Sequence, residues 1–286
     1  MLEWRIGDVT IKRVVEMELP VPYSEKHSFL KQATPDALKE MPWLSPHFVT
    51  PEGGLMLSIH ALAVEAPGIK LIVDTCVGND KPRFLTRKQA LQTKFLDHLA
   101  DAGFPRESVT AVVCTHLHVD HVGWNTRLEN GRWVPTFPKA RHVFARSEFD
   151  YWTEQHKKAE VPPFADSVLP IVEANKAEIV SNDFSIGDHV RILPTPGHTP
   201  GHVAFTFGRG KDDAVFSGDL MHSPLQTRYP DLSPKFDVDP THAAKTRRSF
   251  LERYCDTDTL CCTAHFPSPS VGKIKRRGNG FSCEAV

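Results

Sequence analysis

Thr115-His116-Leu117-His118-Val119-Asp120-His121 sets three histidines and one carboxylate within six positions, directly after the apolar run Ala111-Val112-Val113-Cys114. The run reads as a short strand. Its end presents the nitrogen and oxygen donors that Zn²⁺ and related ions accept, at bond lengths of about 2.0–2.2 Å. In an extended or tightly looped segment His116 and His118 point the same way and can share one ion, while Asp120 and His121 turn toward a neighbouring position. A lone histidine at a strand end is usually only a hydrogen-bonded polar residue. Four such groups together would be costly to bury without a common partner, which favours metal.

The same local setting, an apolar strand followed by a turn, recurs downstream. Val190-Arg191-Ile192-Leu193 leads into Pro196-Gly197-His198-Thr199-Pro200-Gly201-His202. Ala214-Val215-Phe216-Ser217 leads into Gly218-Asp219, and Leu260-Cys261-Cys262-Thr263 leads into Ala264-His265. Four strand ends would then deliver ligands to one edge, where loops carry chemistry and strands fix position.

The order HxHxDH at 116–121, PGHTPGH at 196–202, SGD at 217–219 and AHF at 264–266 resembles the metallo-β-lactamase superfamily of hydrolases, from about Leu71 to Phe266. The resemblance implies an α/β (α+β) fold, the four-layer αββα sandwich of that superfamily, with 1–286 as a single domain. It places His116, His118 and His198 on one metal ion, Asp120, His121 and His265 on another, and Asp219 as the bridge. Two Zn²⁺ per chain are implied, and manganese, iron or cobalt suit the same ligands. The bridging aspartate resembles lactonases, glyoxalase II enzymes and organophosphate-hydrolysing relatives, in particular the lactonase and methyl parathion hydrolase-like branch, more than the β-lactamases proper. Asp74, in Leu71-Ile72-Val73-Asp74-Thr75, matches the superfamily's first acidic motif, where a carboxylate holds the outer N–H of a ligating imidazole.

In this chemistry two divalent ions lower the pKa of a shared water toward about 7 and polarise the substrate oxygen. Asp120 doubles as ligand and proton carrier to the leaving group. The leading expectation is a dinuclear hydrolase that opens a lactone or cleaves a small ester, with phosphotriesters as a secondary class. Glyoxalase II-like thioester hydrolysis, β-lactam hydrolysis, and a redox or non-catalytic metal-binding role are the alternatives. No Gly-x-Ser-x-Gly motif is present.

His202 follows a Pro-Gly turn and opens the apolar run Val203-Ala204-Phe205-Thr206-Phe207, so it reads as structural. His222, just behind Asp219, faces substrate or is simply hydrogen-bonded in a loop, and stays outside the catalytic set. His27, His47, His60, His98, His142, His156, His189 and His242 lack ligand-like surroundings.

A chain of 286 residues, 40% hydrophobic, buries a sizeable core, and a net charge of −1 offers no field for a phosphate backbone. Nucleic acid and membrane are therefore not expected partners; a small-molecule substrate is. Six cysteines without CxxC spacing and a start lacking a basic flank before an apolar core suggest a reducing, cytoplasmic setting. The basic run Lys273-Ile274-Lys275-Arg276-Arg277 reads as a solvated tail, or one pinned to an acidic patch.

Ile6 to Glu16 reads as a hairpin turning at Gly7-Asp8, with strands at Leu55–Ser58, Ala61–Glu65 and Leu71–Val73. Helices are expected at Gln89–Ala102, at Ser147–Lys157 with a serine cap, and at Pro240–Cys255. The proline-rich stretch from Leu19 to Pro51 reads either as a lid or wall of the site or as an arm on the surface or a second subunit. In the relatives that the chain resembles, such an extension supports a homodimer and helps line the pocket. Gly123-Trp124-Asn125-Thr126, Trp133, Phe137 and residues 147–166 suggest an apolar acyl or leaving-group pocket.

Overall fold

The computed structural model describes residues 2–26, 28–209 and 211–286, and His27 lies outside the described residues. The chain divides into two compact units, one of residues 1–16 and 59–189, the other of residues 17–58 and 190–286. It carries two large sheets, a two-stranded ribbon and a small set of helices.

The first large sheet runs Leu2–Ile6, Val9–Val21, Leu55–Ala66, Ile69–Val73, Ala111–Val113, Arg141–Ala145 and Ala177–Val180, side by side in that order. Its opening hairpin turns at Gly7, whose φ of +59° glycine adopts without strain. The two apolar stretches at 55–58 and 61–65 form one continuous strand, Leu55–Ala66. Ile69–Val73, Ala111–Val113 and Arg141–Ala145 pair in parallel, so Asp74 and Cys114-Thr115 leave the sheet at the same end. That shared exit puts a carboxylate beside the histidine cluster.

Two helices here differ from the pattern in the sequence. The helix expected from Gln89 begins only at Phe95 and ends at Asp101. The Asn79 side chain accepts from Thr93 N at 2.7 Å and donates to Thr93 O at 3.0 Å, occupying both backbone groups a helix there would use. The second helix, Arg146–Lys158, starts one residue before Ser147, and Ala145 at its N-cap offers no side-chain hydrogen bond.

In the second unit Val190–Pro194, Val203–Phe207, Ala214–Phe216, Leu260–Cys262, Val271–Arg277 and Gly280–Ala285 are neighbours in sequence order. Ala214–Phe216 and Leu260–Cys262 run parallel with Phe216 opposite Cys262, so Asp219 and His265 emerge at one end. Val203–Phe207 is antiparallel to both Val190–Pro194 and Ala214–Phe216, which brings the 195–202 turn to that same end. Helix Pro240–Tyr254 is capped by Asp239, whose side chain accepts from His242 N. It buries Ala243, Arg247, Phe250, Leu251 and Tyr254, a helical spacing, and the last three join a core with Val215, Phe266, Ile274 and Phe281. Each such large side chain contributes about 1.5–3 kcal/mol on burial.

The basic run at 273–277 is a paired strand, not a tail. Lys273 reaches Asp258 at 2.7 Å, Lys275 reaches Asp256 at 3.7 Å, and Arg277 pairs with Glu284, so an acidic set does receive it. The proline-rich stretch folds within the second unit around Leu30, Ala33, Leu38, Leu44, Leu55 and Leu225. Among the described residues no helix is long and apolar enough to cross a membrane.

Candidate metal centre

In the first unit the parallel register delivers Asp74 to the root of the histidine loop. Its carboxylate accepts Thr115 N and Thr115 Oγ1, each at 2.8 Å, and His121 Nδ1 at 2.8 Å. Because Thr115 Oγ1 gives its proton to Asp74, it can only accept from His116 Nδ1, 3.0 Å away. Both rings therefore carry hydrogen on Nδ1 and turn an Nε2 lone pair outward, the tautomer a metal ligand needs. The rings gather closely, with centroids of His116 and His121 4.1 Å apart and those of His116 and His118 4.6 Å apart. Asp120 Oδ1 lies 3.7 Å from His121 Nε2.

Two further carboxylates that the sequence did not single out shape this loop. Buried Glu148 accepts from Leu117 N at 3.0 Å and from Trp152 Nε1 at 2.6 Å, pinning the backbone between His116 and His118. The Trp152 ring in turn meets that of His118, with centroids 5.4 Å apart. Glu16 accepts from Val77 N, Gly78 N and Trp124 Nε1, which ties down the loop following Asp74. Burial pushes its carboxyl up, against the pull of these hydrogen bonds.

In the second unit three imidazoles converge on Asp219. His265 Nε2 lies 3.0 Å from Oδ1, while His222 Nε2 at 3.0 Å and His198 Nε2 at 3.3 Å lie beside Oδ2. Each of the two predicted ligand histidines is held from behind: His265 Nδ1 donates to Ser58 O at 3.0 Å, and His198 Nδ1 to Asp237 Oδ1 at 2.7 Å. Asp237 also faces Arg247 at 3.4 Å, and both side chains are fully buried. Arg247 donates to backbone carbonyls of Leu220, Pro230 and Leu232 as well.

The donor set passes a simple test of fit for a cation. Burial alone pulls the His198 pKa down, yet hydrogen bonds and charge from Asp219 and Asp237 outweigh it and raise it to about 9. The carboxylates that favour positive charge at this ring would also favour a cation at Nε2, in place of the proton there. His202, by contrast, is occupied within the fold: Nε2 accepts from Asp219 N at 2.9 Å and Nδ1 bonds Thr195 Oγ1 at 2.8 Å. It positions the Asp219 backbone.

His222 was left aside in the sequence and is the chief addition. It stacks on His265 with centroids 5.0 Å apart and 5° between the planes, and Asp219, His222 and His265 offer one ligand atom each within 4.8 Å of one another. Its spacing of three residues after Asp219 was the available signal. Asp237 and Glu148 left none, being isolated acids far along the chain from the histidines they serve.

Several of the aromatics expected to line a pocket are structural instead. Trp124 and Phe137 are buried, with Trp124 stacked on Phe95 at 5.9 Å, and Trp133 lies beneath the Lys81 ammonium at 3.8 Å. From the 147–166 region Trp152 does reach a histidine of the cluster. From the proline-rich stretch, Phe29 meets His222 edge-on with centroids 5.1 Å apart. All six cysteines are free thiols, and burial pushes Cys76, Cys114 and Cys261 well up, out of nucleophilic range.

The chain is similar to several known proteins. A probable metallo-hydrolase of Mycobacterium tuberculosis is 24% identical over 242 residues, covering 75% of this chain and 76% of that protein. An N-acyl homoserine lactonase of a Bacillus species is 27% identical over 128 residues, covering 45% of this chain and 44% of the lactonase. A hydroxyacylglutathione hydrolase of Shewanella sp. (strain ANA-3) is 26% identical over 155 residues, covering 51% and 49% respectively. Among solved structures, AidC, a dizinc quorum-quenching lactonase, aligns with a TM-score of 0.82 at 21% identity over 100% of this chain and 97% of that one. The hydrolase AbOPH of the β-lactamase superfamily also aligns with a TM-score of 0.82 at 21% identity, over 99% and 96%. These likenesses show that the fold class is the one the motifs implied. Residues 56–265, more than half of the sequence, match the metallo-β-lactamase superfamily, and the chain belongs to that superfamily of metal-dependent hydrolases.

Proposed function

We propose that the protein is a dinuclear hydrolase that opens a lactone or cleaves a small neutral ester, with phosphotriesters as a secondary class. His116, His118 and His198 would hold one ion, Asp120, His121 and His265 the other, and Asp219 both, with zinc as the metal. The observation that carries this reading is the convergence of imidazole Nε2 atoms on the two oxygens of Asp219, each ligand ring being locked from behind. Lactonases among the similar proteins support the substrate class. A homodimer and a cytoplasmic setting remain part of the proposal.

When bound by these residues, divalent ions would supply a nucleophile from water at neutral pH and polarise the oxygen under attack. The chain's own contribution is orientation. Asp74, Asp237 and the Ser58 carbonyl fix three ring tautomers, so that no reorganisation of the donors is needed during turnover. Asp120, with 20% of its side chain exposed against 2% for His121, would pass a proton to the departing oxygen. Phe29 and Trp152 give the histidines apolar neighbours suited to an acyl chain.

Elemental analysis of the purified protein, paired with turnover of lactones, aryl esters, phosphotriesters, thioesters and a chromogenic β-lactam, tests the proposal. Two metal ions per chain and chelator-sensitive lactone or ester turnover support it. Selective thioester turnover would instead favour the hydroxyacylglutathione hydrolase reading, which the similarity to that enzyme brings in. A metal-free protein without turnover would overturn both.

A further inference from the structure

The second unit contains a cavity of about 760 Å³ beside the first turns of helix Pro240–Tyr254. None of the residues proposed to hold metal lines it. Its wall carries four cations, Lys31, Lys235, Lys245 and Arg248, against one carboxylate, Asp231. Arg248 and Asp231 neutralise each other, with both carboxylate oxygens 3.2 Å from the guanidinium. Lys31 and Lys245 make no ion pair among the described residues and are exposed to solvent. The net charge of the whole chain is −1, so this concentration of positive charge is local.

Charge is half of the character. Phe29, Pro234, Pro240 and Ala244 supply an apolar side, and the volume falls within the roughly 300–1,000 Å³ of small-molecule sites. Lysine ammonium groups act as point charges and suit a compact dianion, whereas the one guanidinium that could grip a planar carboxylate from two sides is already engaged. Ser233 and Thr241 add hydroxyl groups at the wall. We propose that this cavity binds a small organic phosphate, the phosphate lying among Lys31, Lys235 and Lys245 and the apolar part against Phe29. Phe29 is a shared wall, since its ring also meets His222, so the site adjoins the histidine cluster without using its ligands.

The test is a calorimetric titration of the metal-loaded protein with phenyl phosphate, inorganic phosphate and phenol. Phenyl phosphate should bind more tightly than either fragment, and less tightly as salt rises. Lys31→Ala with Lys245→Ala, both on exposed side chains, should weaken it by about tenfold. Asp231→Asn, which removes the only negative charge, should tighten it a few-fold; this opposite sign guards against a general loss of fold. Turnover of a neutral lactone serves as the second readout, and phenyl phosphate should not compete with it. Phenyl phosphate that binds equally well to the double lysine variant, or that competes with the lactone in it, would locate the phosphate at the histidine cluster and overturn the proposal. Binding of phenol as tight as that of phenyl phosphate would also overturn it, by showing an apolar cavity only.

Discussion

Replacing Asp237 by alanine removes one carboxylate that serves two buried partners. Oδ1 takes His198 Nδ1 at 2.7 Å and Oδ2 faces Arg247 at 3.4 Å. Removing one member of a buried ion pair ordinarily costs about 3–5 kcal/mol, because the remaining charge has no counterpart. The guanidinium would keep its acceptors at Leu220, Pro230 and Leu232, and 3.4 Å is long for a charge-assisted bond, so the lower end, about 3 kcal/mol, applies. A second consequence follows for the metal. His198 loses the group that fixes its tautomer, and affinity should fall about 10–100-fold.

Asp237→Asn separates the two effects. Its amide oxygen can still accept from His198 Nδ1, but a neutral amide cannot balance Arg247. The asparagine variant should therefore lose a large part of the stability, about 2 kcal/mol, while holding metal within a few-fold of the parent. Urea unfolding of the metal-stripped proteins measures the first quantity, and competition with a chromogenic chelator the second. The reasoning fails if the alanine variant unfolds within about 0.5 kcal/mol of the parent, the range of an ordinary surface change. It also fails if asparagine and alanine weaken metal binding equally.

Three other positions give independent tests. Burial holds the His142 imidazole down to about 3, and neither ring nitrogen has a hydrogen-bond partner among the described residues. As pH falls below the ordinary 6.5, the unfolded chain takes up this proton first, so stability drains until about pH 3. His142→Leu should lower the acid midpoint seen by circular dichroism; an unchanged midpoint counts against the assignment. Lys81, buried with its ammonium over the Trp133 ring, is lowered by burial from 10.5 to about 7, so between these values the unfolded chain holds the extra proton and the parent gains stability as pH rises. Lys81→Met should flatten that rise in urea midpoints between pH 7 and 10, and a slope equal to the parent's would refute it. Gly123 faces Val77 so closely that an added Cβ would sit 1.8 Å from Val77 O and 2.6 Å from Gly78 N, both backbone atoms. Gly123→Ala should cost at least about 3 kcal/mol. A melting temperature within about 2 °C of the parent would show that the loop has slack.

The strand ends and their histidines were legible because two local patterns coincide there: a short apolar run fixes where a strand stops, and the donor residues follow at once. Ala111–Val113, Ala214–Phe216 and Leu260–Cys262 are three-residue strands, yet each is marked by its sequence. Helix boundaries were less legible where a distant side chain took over the backbone. The pattern from Gln89 has helical spacing, and only the Asn79 clamp on Thr93 shows why the helix waits until Phe95. Aromatics misled for a related reason. Trp124 and Trp133 sit next to the ligand loop in sequence, but their rings are claimed by Glu16 and Lys81.

The same distinction explains which parts of the candidate site stayed hidden. The candidate ligands follow strand ends, and sheet register carries them to the edge: with Phe216 opposite Cys262 in a parallel pair, Asp219 and His265 have little choice of exit. The group behind a ligand needs only one oxygen at the right distance, and any element that passes by can supply it. Asp237 stands 39 residues from His198, and the Ser58 carbonyl 207 residues from His265. A backbone carbonyl leaves no trace in the sequence whatever the residue, and a solitary aspartate scarcely more. Yet these partners decide which ring nitrogen carries the proton, and so whether a histidine offers a lone pair at all. The candidate ligands are written in local pattern, whereas the contacts that would make them competent to bind are written in tertiary distance.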